Sequence, residues 1–151
     1  MIHGLDTGFL VAAEVSEHAD HAAARLTLSA LSKAGDRFAL APQVLAEFLH
    51  VVTDPSRFAH PLAMPEARRL AEQWWTARDM ERVVADDAAA RLFLTWIGRF
   101  GLGRKRLLDT MLAATYRLAG IESLLTTNPG DFTVFGGFRC IIPSATAAAT
   151  R

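Results

Sequence analysis

The sequence predicts an α/β fold: a central, mostly parallel sheet of about five short strands, flanked by helices in three layers. Three observations predict it. Short apolar runs alternate with longer stretches whose apolar residues recur at helical spacing, and helices of ten or more residues between strands call for parallel pairing with crossover connections. Gly35, Pro42, Pro65 and Gly120 fall at the joints, where they end one element or open the next. The composition, 151 residues with 51% hydrophobic and 21% charged, suits one domain that buries about two thirds of its unfolded surface.

Residues 1–5 read as a short buried strand, and 7–15 as a helix that begins directly after Asp6. Residues 18–34 keep a helical spacing, Ala22, Leu26, Ser29, Ala30 and Lys33 alternating faces with Ala23, Leu28 and Leu31, until Gly35 ends the helix. Residues 37–41 form a second strand. Pro42 sits where a helix can start, and 44–52 is that helix, closed before Asp54 and Pro55. The stretch 54–64 holds two prolines and is a loop. Pro65 opens a helix to about residue 77, residues 80–84 form a short strand, and 86–100 a further helix. A glycine break at 101–103 precedes a helix over 107–119, capped by Gly120. A strand at 123–126, a turn at 128–131 and a last strand at 137–142 complete a domain of residues 1–143, with 144–151 as a frayed tail.

Composition excludes several classes of protein. The one cysteine, Cys140 in FRCIIP, leaves no internal disulfide and reads as a buried strand thiol. No run of eighteen apolar residues is present to span a bilayer, and MIHGLDTG lacks the basic start of a signal peptide, so a cytoplasmic location is expected. With 16 basic and 16 acidic residues the formal net charge is zero, so any affinity for nucleic acid must be local. The five histidines show no ligand spacing with cysteine, which argues against zinc. The GLG at 101–103 follows a helix rather than a strand and is no dinucleotide fingerprint.

Four acids carry the functional signal: Asp6 in IHGLDTGFL, Glu47 in LAPQVLAEFLHVV, Asp109 in KRLLDTMLAATYRLAG and Asp131 in LLTTNPGDF. Each follows an apolar run, at the edge of a core, where charges are seldom placed without a partner. In a parallel sheet, ligands collect at the carboxyl ends of the strands. Asp6 follows the first strand and Asp131 a late one; Glu47 and Asp109 lie in early turns of helices that face the same edge, so the four can converge. Converging carboxylates repel one another, and a hard divalent cation such as Mg2+ relieves them. One or two such ions would activate water against a phosphate ester with no nucleophilic side chain. Thr7, Thr110, Thr127 and Asn128 stand beside the acids as short polar groups that would orient them. Each acid also has a plainer role open to it: a helix N-cap for Asp6, an arginine partner for Glu47, the helix dipole for Asp109, a turn for Asp131. The constellation is more specific than any member.

The order of these residues, Asp6 after an opening strand, Glu47 in PQVLAEFLHV, then LLDTMLAATYRLAGIESLLTTNPGDF, closely resembles the PIN domain, and more narrowly the VapC-type toxins of bacterial toxin–antitoxin modules. The resemblance covers essentially the whole chain and is most specific over 107–132. It implies a three-layer PIN-like fold and a Mg2+- or Mn2+-dependent endoribonuclease, held inactive by a cognate VapB-type antitoxin and assembled as a homodimer. The catalytic and metal-binding acids then fall on Asp6, Glu47, Asp109 and Asp131. Two departures stand out: Gly8 occupies a position where many relatives carry a small hydroxyl or amide side chain, and Asn128 and Pro129 stand where relatives often carry a further acid.

Other residues extend or compete with that reading. Arg99, Arg104, Lys105 and Arg106, in RFGLGRKR just before Asp109, would guide an RNA backbone or simply face solvent. Phe58 beside Arg57 is the one aromatic–basic pair in the proline-bearing loop suited to stacking on a base. Trp74 and Trp75 fit core packing or a groove for a partner helix. Two rival functions remain: a non-catalytic module that binds RNA or antitoxin, and a phosphotransferase with Asp6 as nucleophile. The second expects an acid at the position of Gly8.

Overall fold

The computed structural model describes residues 1–144; residues 145–151, most of the expected frayed tail, lie outside the described residues. The strands are β1 (Ile2–Leu5), β2 (Arg37–Leu40), β3 (Met80–Arg82), β4 (Ser123–Leu125) and β5 (Arg139–Ile141). They form one sheet in the order β3-β2-β1-β4-β5, and every pairing is parallel rather than mostly so. Three residues of the central strand are buried, against one in β3 and none in β5, as expected for a sheet covered on both faces and least at its edges. The chain leaves β1 for β2 and β3 on one side, then returns past β1 to β4 and β5 on the other. That reversal opens a crevice at the carboxyl ends of β1 and β4.

The helices are α1 (Thr7–Glu14), α2 (His21–Lys33), α3 (Pro42–Val52), α4 (Met64–Thr76), α5 (Asp87–Arg99), α6 (Leu107–Leu118) and the single turn α7 (Gly130–Thr133). Proline stands in the first turn of α3 and α4, where its missing N–H costs nothing. Asp86 caps α5 by accepting the Ala89 N–H at 2.8 Å. Two pieces were not anticipated: a 3₁₀ turn at Arg104–Arg106 that leads into α6, and α7, which the sequence presents only as a turn. In α2 the inward row is Ala24, Thr27 and Leu28, while Leu26 is exposed. Ser144, the last described residue, is tied to that row by its N–H to Thr27 Oγ1 at 3.1 Å.

The core is continuous from α1 through the sheet to α6. Its largest fully buried side chain, Tyr116, lies against β1, and this needs Gly4: a Cβ there would sit 2.8 Å from both the Tyr116 ring and Leu124. Trp74 and Trp75 are half-buried against the core, and Trp74 Nε1 donates to Glu14 Oε1 at 2.6 Å. Among the described residues no helix is long and apolar enough to cross a membrane.

Candidate active site

Asp6 is both a helix cap and a member of a cleft. Its Oδ1 accepts the N–H of Thr7 at 2.8 Å, which caps α1, while its Oδ2 accepts the hydroxyl of Thr126 at 2.7 Å. Its own N–H donates to the Leu125 carbonyl at 3.0 Å, so the end of β4 fixes the end of β1. Thr126 is fully buried, and its oxygen accepts the Asn128 N–H at 3.0 Å, which sets the turn that leads to Asp131. Beneath them the Tyr116 hydroxyl donates to the Leu5 carbonyl at 2.7 Å, with the Ala39 carbonyl at 3.2 Å. One buried phenol thus holds the carboxyl end of β1, close to the neighbouring β2.

All four acids line one cleft of about 520 Å³, with Thr7, Gly8, Thr127 and Asn128 beside them. Glu47 comes from the middle of α3, Asp109 from the first turn of α6, and Asp131 from α7. The Asp6 carboxyl is pushed up to about 6, by burial first, with the charges of Glu47 and Asp131 adding and the Thr126 and Thr7 hydrogen bonds opposing. Asp109 is also pushed up to about 6, by burial and then by Asp6 and Asp131, with Arg106 opposing. Glu47 lies above the usual carboxylate range through burial and the charge of Asp109, while the Thr7 hydroxyl donates to it and His50 pulls the other way.

This donor set fits a hard divalent cation: every group is a carboxylate oxygen, and acids spaced far apart in sequence raise one another's proton affinity. Among the described residues no three His, Cys, Asp or Glu side chains form a cage that would hold an ion unaided.

The polar neighbours divide. Thr7 and Thr127 line the cleft; the Thr110 hydroxyl instead donates to the Arg106 carbonyl one turn back at 2.6 Å, and Thr110 is fully buried. A Cβ on Gly8 would meet Thr127 Oγ1 at 2.6 Å, so the space beside Asp6 left by the missing side chain is filled by a threonine hydroxyl from the β4 turn. Of the basic run, Arg104 and Lys105 are exposed, and the Arg99 guanidinium stacks over Phe100 at 5.5 Å. The Arg106 guanidinium donates to the backbone carbonyl of Asp131. It acts within the site as a brace between α6 and α7.

Thr126 and Tyr116 escaped the sequence reading, although signals for both exist. Side chains alternate along a strand, so Thr126 and Thr127 cannot both face the cleft, and one must point inward. Tyr116 stands seven residues after Asp109, two turns along the same helix face.

A family model described as the PIN domain matches residues 5–135. Ribonuclease VapC24 of Mycobacterium tuberculosis is 31% identical over 134 residues, which cover 87% of this chain and 90% of the relative. Among solved structures, VapC20 of Mycobacterium tuberculosis, a sarcin-ricin loop cleaving toxin, superposes with a TM-score of 0.69 at 18% identity, covering 90% of this chain and 95% of the other. A toxin–antitoxin complex from Klebsiella pneumoniae superposes with a TM-score of 0.61 at 17% identity over 95% and 99% of the two chains.

Proposed function

Because the chain belongs to the PIN domain family, and to its VapC branch, we propose that it is a Mg2+- or Mn2+-dependent endoribonuclease toxin of the cytoplasm, neutralised by a VapB-type antitoxin. The observation that carries the reading is the single cleft at the carboxyl edge of the sheet lined by Asp6, Glu47, Asp109 and Asp131. Asp6 and Asp109 would hold the ion, and Asp131 its water shell or a second ion. When bound, such an ion supplies an activated water and a positive charge for the leaving oxygen. Glu47, with its proton affinity raised and its carboxylate held by the Thr7 hydroxyl, takes the proton of the attacking water. The water oxygen would bond to phosphorus as the bond to the leaving ribose oxygen breaks, and that oxygen would take a proton from bulk water.

The partners in this reading are RNA, the antitoxin and a second copy of the chain. The description of the Klebsiella neighbour as a toxin–antitoxin complex supports the antitoxin. Exposed leucines on α5 and α6, Leu94 and Leu108 among them, offer apolar surface for assembly. The test is incubation of antitoxin-free protein with end-labelled total, transfer and ribosomal RNA in Mg2+, Mn2+ or EDTA, beside Asp109→Asn. Discrete cuts that need metal and vanish in the variant are expected. Well-folded protein that cuts none of these RNAs would overturn the reading in favour of a binding module.

A further inference from the structure

Asp131 reaches the cleft from the shortest helix of the fold. α7 is a single turn, and the N–H groups of Asp131, Phe132 and Thr133 reach back only to the carbonyls of Asn128 and Pro129, at 3.1 to 3.2 Å. A turn this short does not hold its shape unaided. Side chains around it do the anchoring. Phe132 is fully buried, while Phe135 stacks on Trp96 of α5 with ring centres 4.6 Å apart and meets Phe100 edge-on at 5.9 Å. Two backbone carbonyls, one in the turn and one past its end, are each taken by an arginine: that of Asp131 by Arg106, and that of Gly136 by Arg117. The two arginines stand about three helical turns apart on α6 and the turn that leads into it, so they face the same way. α6 also carries Asp109 in its first turn. One helix thus presents one acid and spans the segment that presents another.

The Arg117 end of that span has more than a hydrogen bond. Its Cζ lies 4.5 Å from the centre of the Phe138 ring and 5.5 Å from that of Trp96, the ring on which Phe135 stacks. A cation over aromatic faces is attracted by their quadrupole, most of all where water is excluded. Among the described residues Arg117 makes no ion pair with a carboxylate, and its Nε is buried without a hydrogen-bond partner. Four buried side-chain atoms of the described residues stand so, and two of them are the Nε atoms of Arg106 and Arg117. Both guanidiniums are therefore set by the groups they do touch, although a donor is left unmet. The backbone bends to meet Arg117. Gly136 and Gly137 take φ of 65° and 66°, and a Cβ on Gly137 would lie 3.1 Å from the guanidinium.

We propose that Arg117 is a positioning residue for Asp131: its guanidinium, the Trp96 and Phe138 rings and the Gly136 carbonyl clasp the chain beyond α7, and so hold the Asp131 carboxylate in register with Asp109. Arg106 fixes the near end of the segment and Arg117 the far end. Released at the far end, the turn pivots on Arg106 and carries Asp131 away from the other acids. Its placement matters to them, because Asp6 and Asp109 both feel the charge of Asp131. The inference rests on the metal-dependent reading of the cleft and adds a control point outside it, since Arg117 does not line the cleft. Groups that orient the acids around a cation govern its affinity nearly as much as the acids do.

The experiment titrates Mg2+ against melting temperature and, separately, against RNA cleavage. Arg117→Met, which keeps apolar length but loses the cation and its donors, should raise the Mg2+ concentration of half-effect roughly tenfold in both titrations. Arg117→Lys should recover part of that loss, because an ammonium can still sit over a ring. In an Asp131→Asn background Arg117→Met should move the midpoint no further, since the carboxylate it positions is gone. Amide exchange without metal should quicken at Phe132 and Thr133 in Arg117→Met and stay unchanged along α6. Asp36→Asn, which loosens the far edge of the sheet where that carboxylate meets His3 Nε2 at 3.2 Å, controls for lost stability and should leave the midpoint in place. An Arg117→Met protein that melts lower with its Mg2+ midpoint unmoved, or whose effect adds in full to that of Asp131→Asn, overturns the clasp. So does an equal shift in Asp36→Asn. A parent whose melting temperature follows Mg2+ in the expected pattern while it cuts no RNA keeps the clasp and loses the ribonuclease; one whose melting temperature ignores Mg2+ loses both.

Discussion

The two edges of the sheet treat a carboxylate in opposite ways. At the amino edge, Asp36 precedes β2, with its Oδ1 2.7 Å from the N-terminal ammonium and its Oδ2 3.2 Å from Nε2 of the buried His3, whose Nδ1 meets Ser123 Oγ at 2.7 Å. The ammonium first, and His3 second, hold the Asp36 carboxyl below its ordinary range. At the carboxyl edge, Asp6 follows β1 and is pushed up to about 6 by burial, with Glu47 and Asp131 adding to the shift. One edge carries its counter-charge within the fold. The other gathers carboxylates that raise one another's proton affinity, an arrangement that suits a binding site better than a structural ion pair.

The largest expected effect breaks this contrast at the acid edge. Asp109→Asn or Asp6→Asn should lower metal-dependent RNA cleavage by roughly a thousandfold or more, because several kcal/mol of transition-state charge stabilisation leave with the ligand. Asp36→Asn should leave cleavage within about twofold while lowering the melting temperature, as expected for a group that only stabilises. Gel assays and thermal melts on the three variants check both halves. Comparable losses of activity at the two edges would dissolve the distinction.

Next in size is the link between the core and the acid edge. Gly4→Ala should destabilise by about 1–3 kcal/mol, since the added methyl must displace the Tyr116 ring or Leu124, neither of which has a free end to swing away. Tyr116→Phe should cost about 1–2 kcal/mol, because the Leu5 carbonyl loses its buried donor. Urea titration measures each. If Tyr116 does no more than fill space, the phenylalanine variant will match the parent.

What was legible in the sequence follows the same physical division. Strand and helix positions came from apolar periodicity and from proline and glycine at the joints, and these are local signals. The four acids were legible because charges at the ends of apolar runs are costly without a reason. The 3₁₀ turn at Arg104–Arg106 was not, since exposed basic residues carry no periodicity. Thr126 was missed in favour of its neighbours because the direction of a side chain at the end of a strand depends on register, which β1 sets through the Asp6 N–H to Leu125. Thr110 was misleading for the opposite reason: a threonine inside a helix satisfies itself on the carbonyl four residues back. A long-range relation such as Glu17 with the backbone of 59–60 has no local signature at all.

The pH dependence of stability sharpens the comparison with a smaller signal. Asp6 has a folded value near 6 against an ordinary 3.8, so its relative contribution is full below about pH 4 and lost as pH rises through 6. Asp36 is lowered, so its contribution is present above the ordinary value and lost as pH falls through its folded value. Melting curves from pH 3.5 to 8 should therefore show Asp6→Asn gaining on the parent as pH rises, and Asp36→Asn falling behind it. Saturating Mg2+ at pH 7 should erase the advantage of Asp6→Asn, because only the parent binds it well; 100-fold excess over Kd corresponds to about 2.7 kcal/mol. Parallel curves for the two variants would show that the edges do not differ in charge balance.

Arg106 is a cation bound into the acid edge through its own hydrogen bond, and it gives the finest test. Its guanidinium braces the Asp131 carbonyl and lowers the proton affinity of Asp109, whereas Arg104 and Lys105, on the same turn, face solvent. Residues so close in sequence should then behave differently. Arg104→Ala and Lys105→Ala should each reduce the logarithmic salt slope of RNA binding by about 0.7 if they touch phosphate, with the metal requirement of cleavage unchanged. Arg106→Ala should raise the pH at which cleavage reaches half its maximum, since Asp109 loses the positive charge that opposes its neighbours, and should weaken the response of the melting temperature to Mg2+ as Asp131 loses its brace. A salt slope that falls equally in all three variants, with no change in pH profile for Arg106→Ala, would return Arg106 to the solvent-facing run and leave the acid edge with no internal brace between α6 and α7.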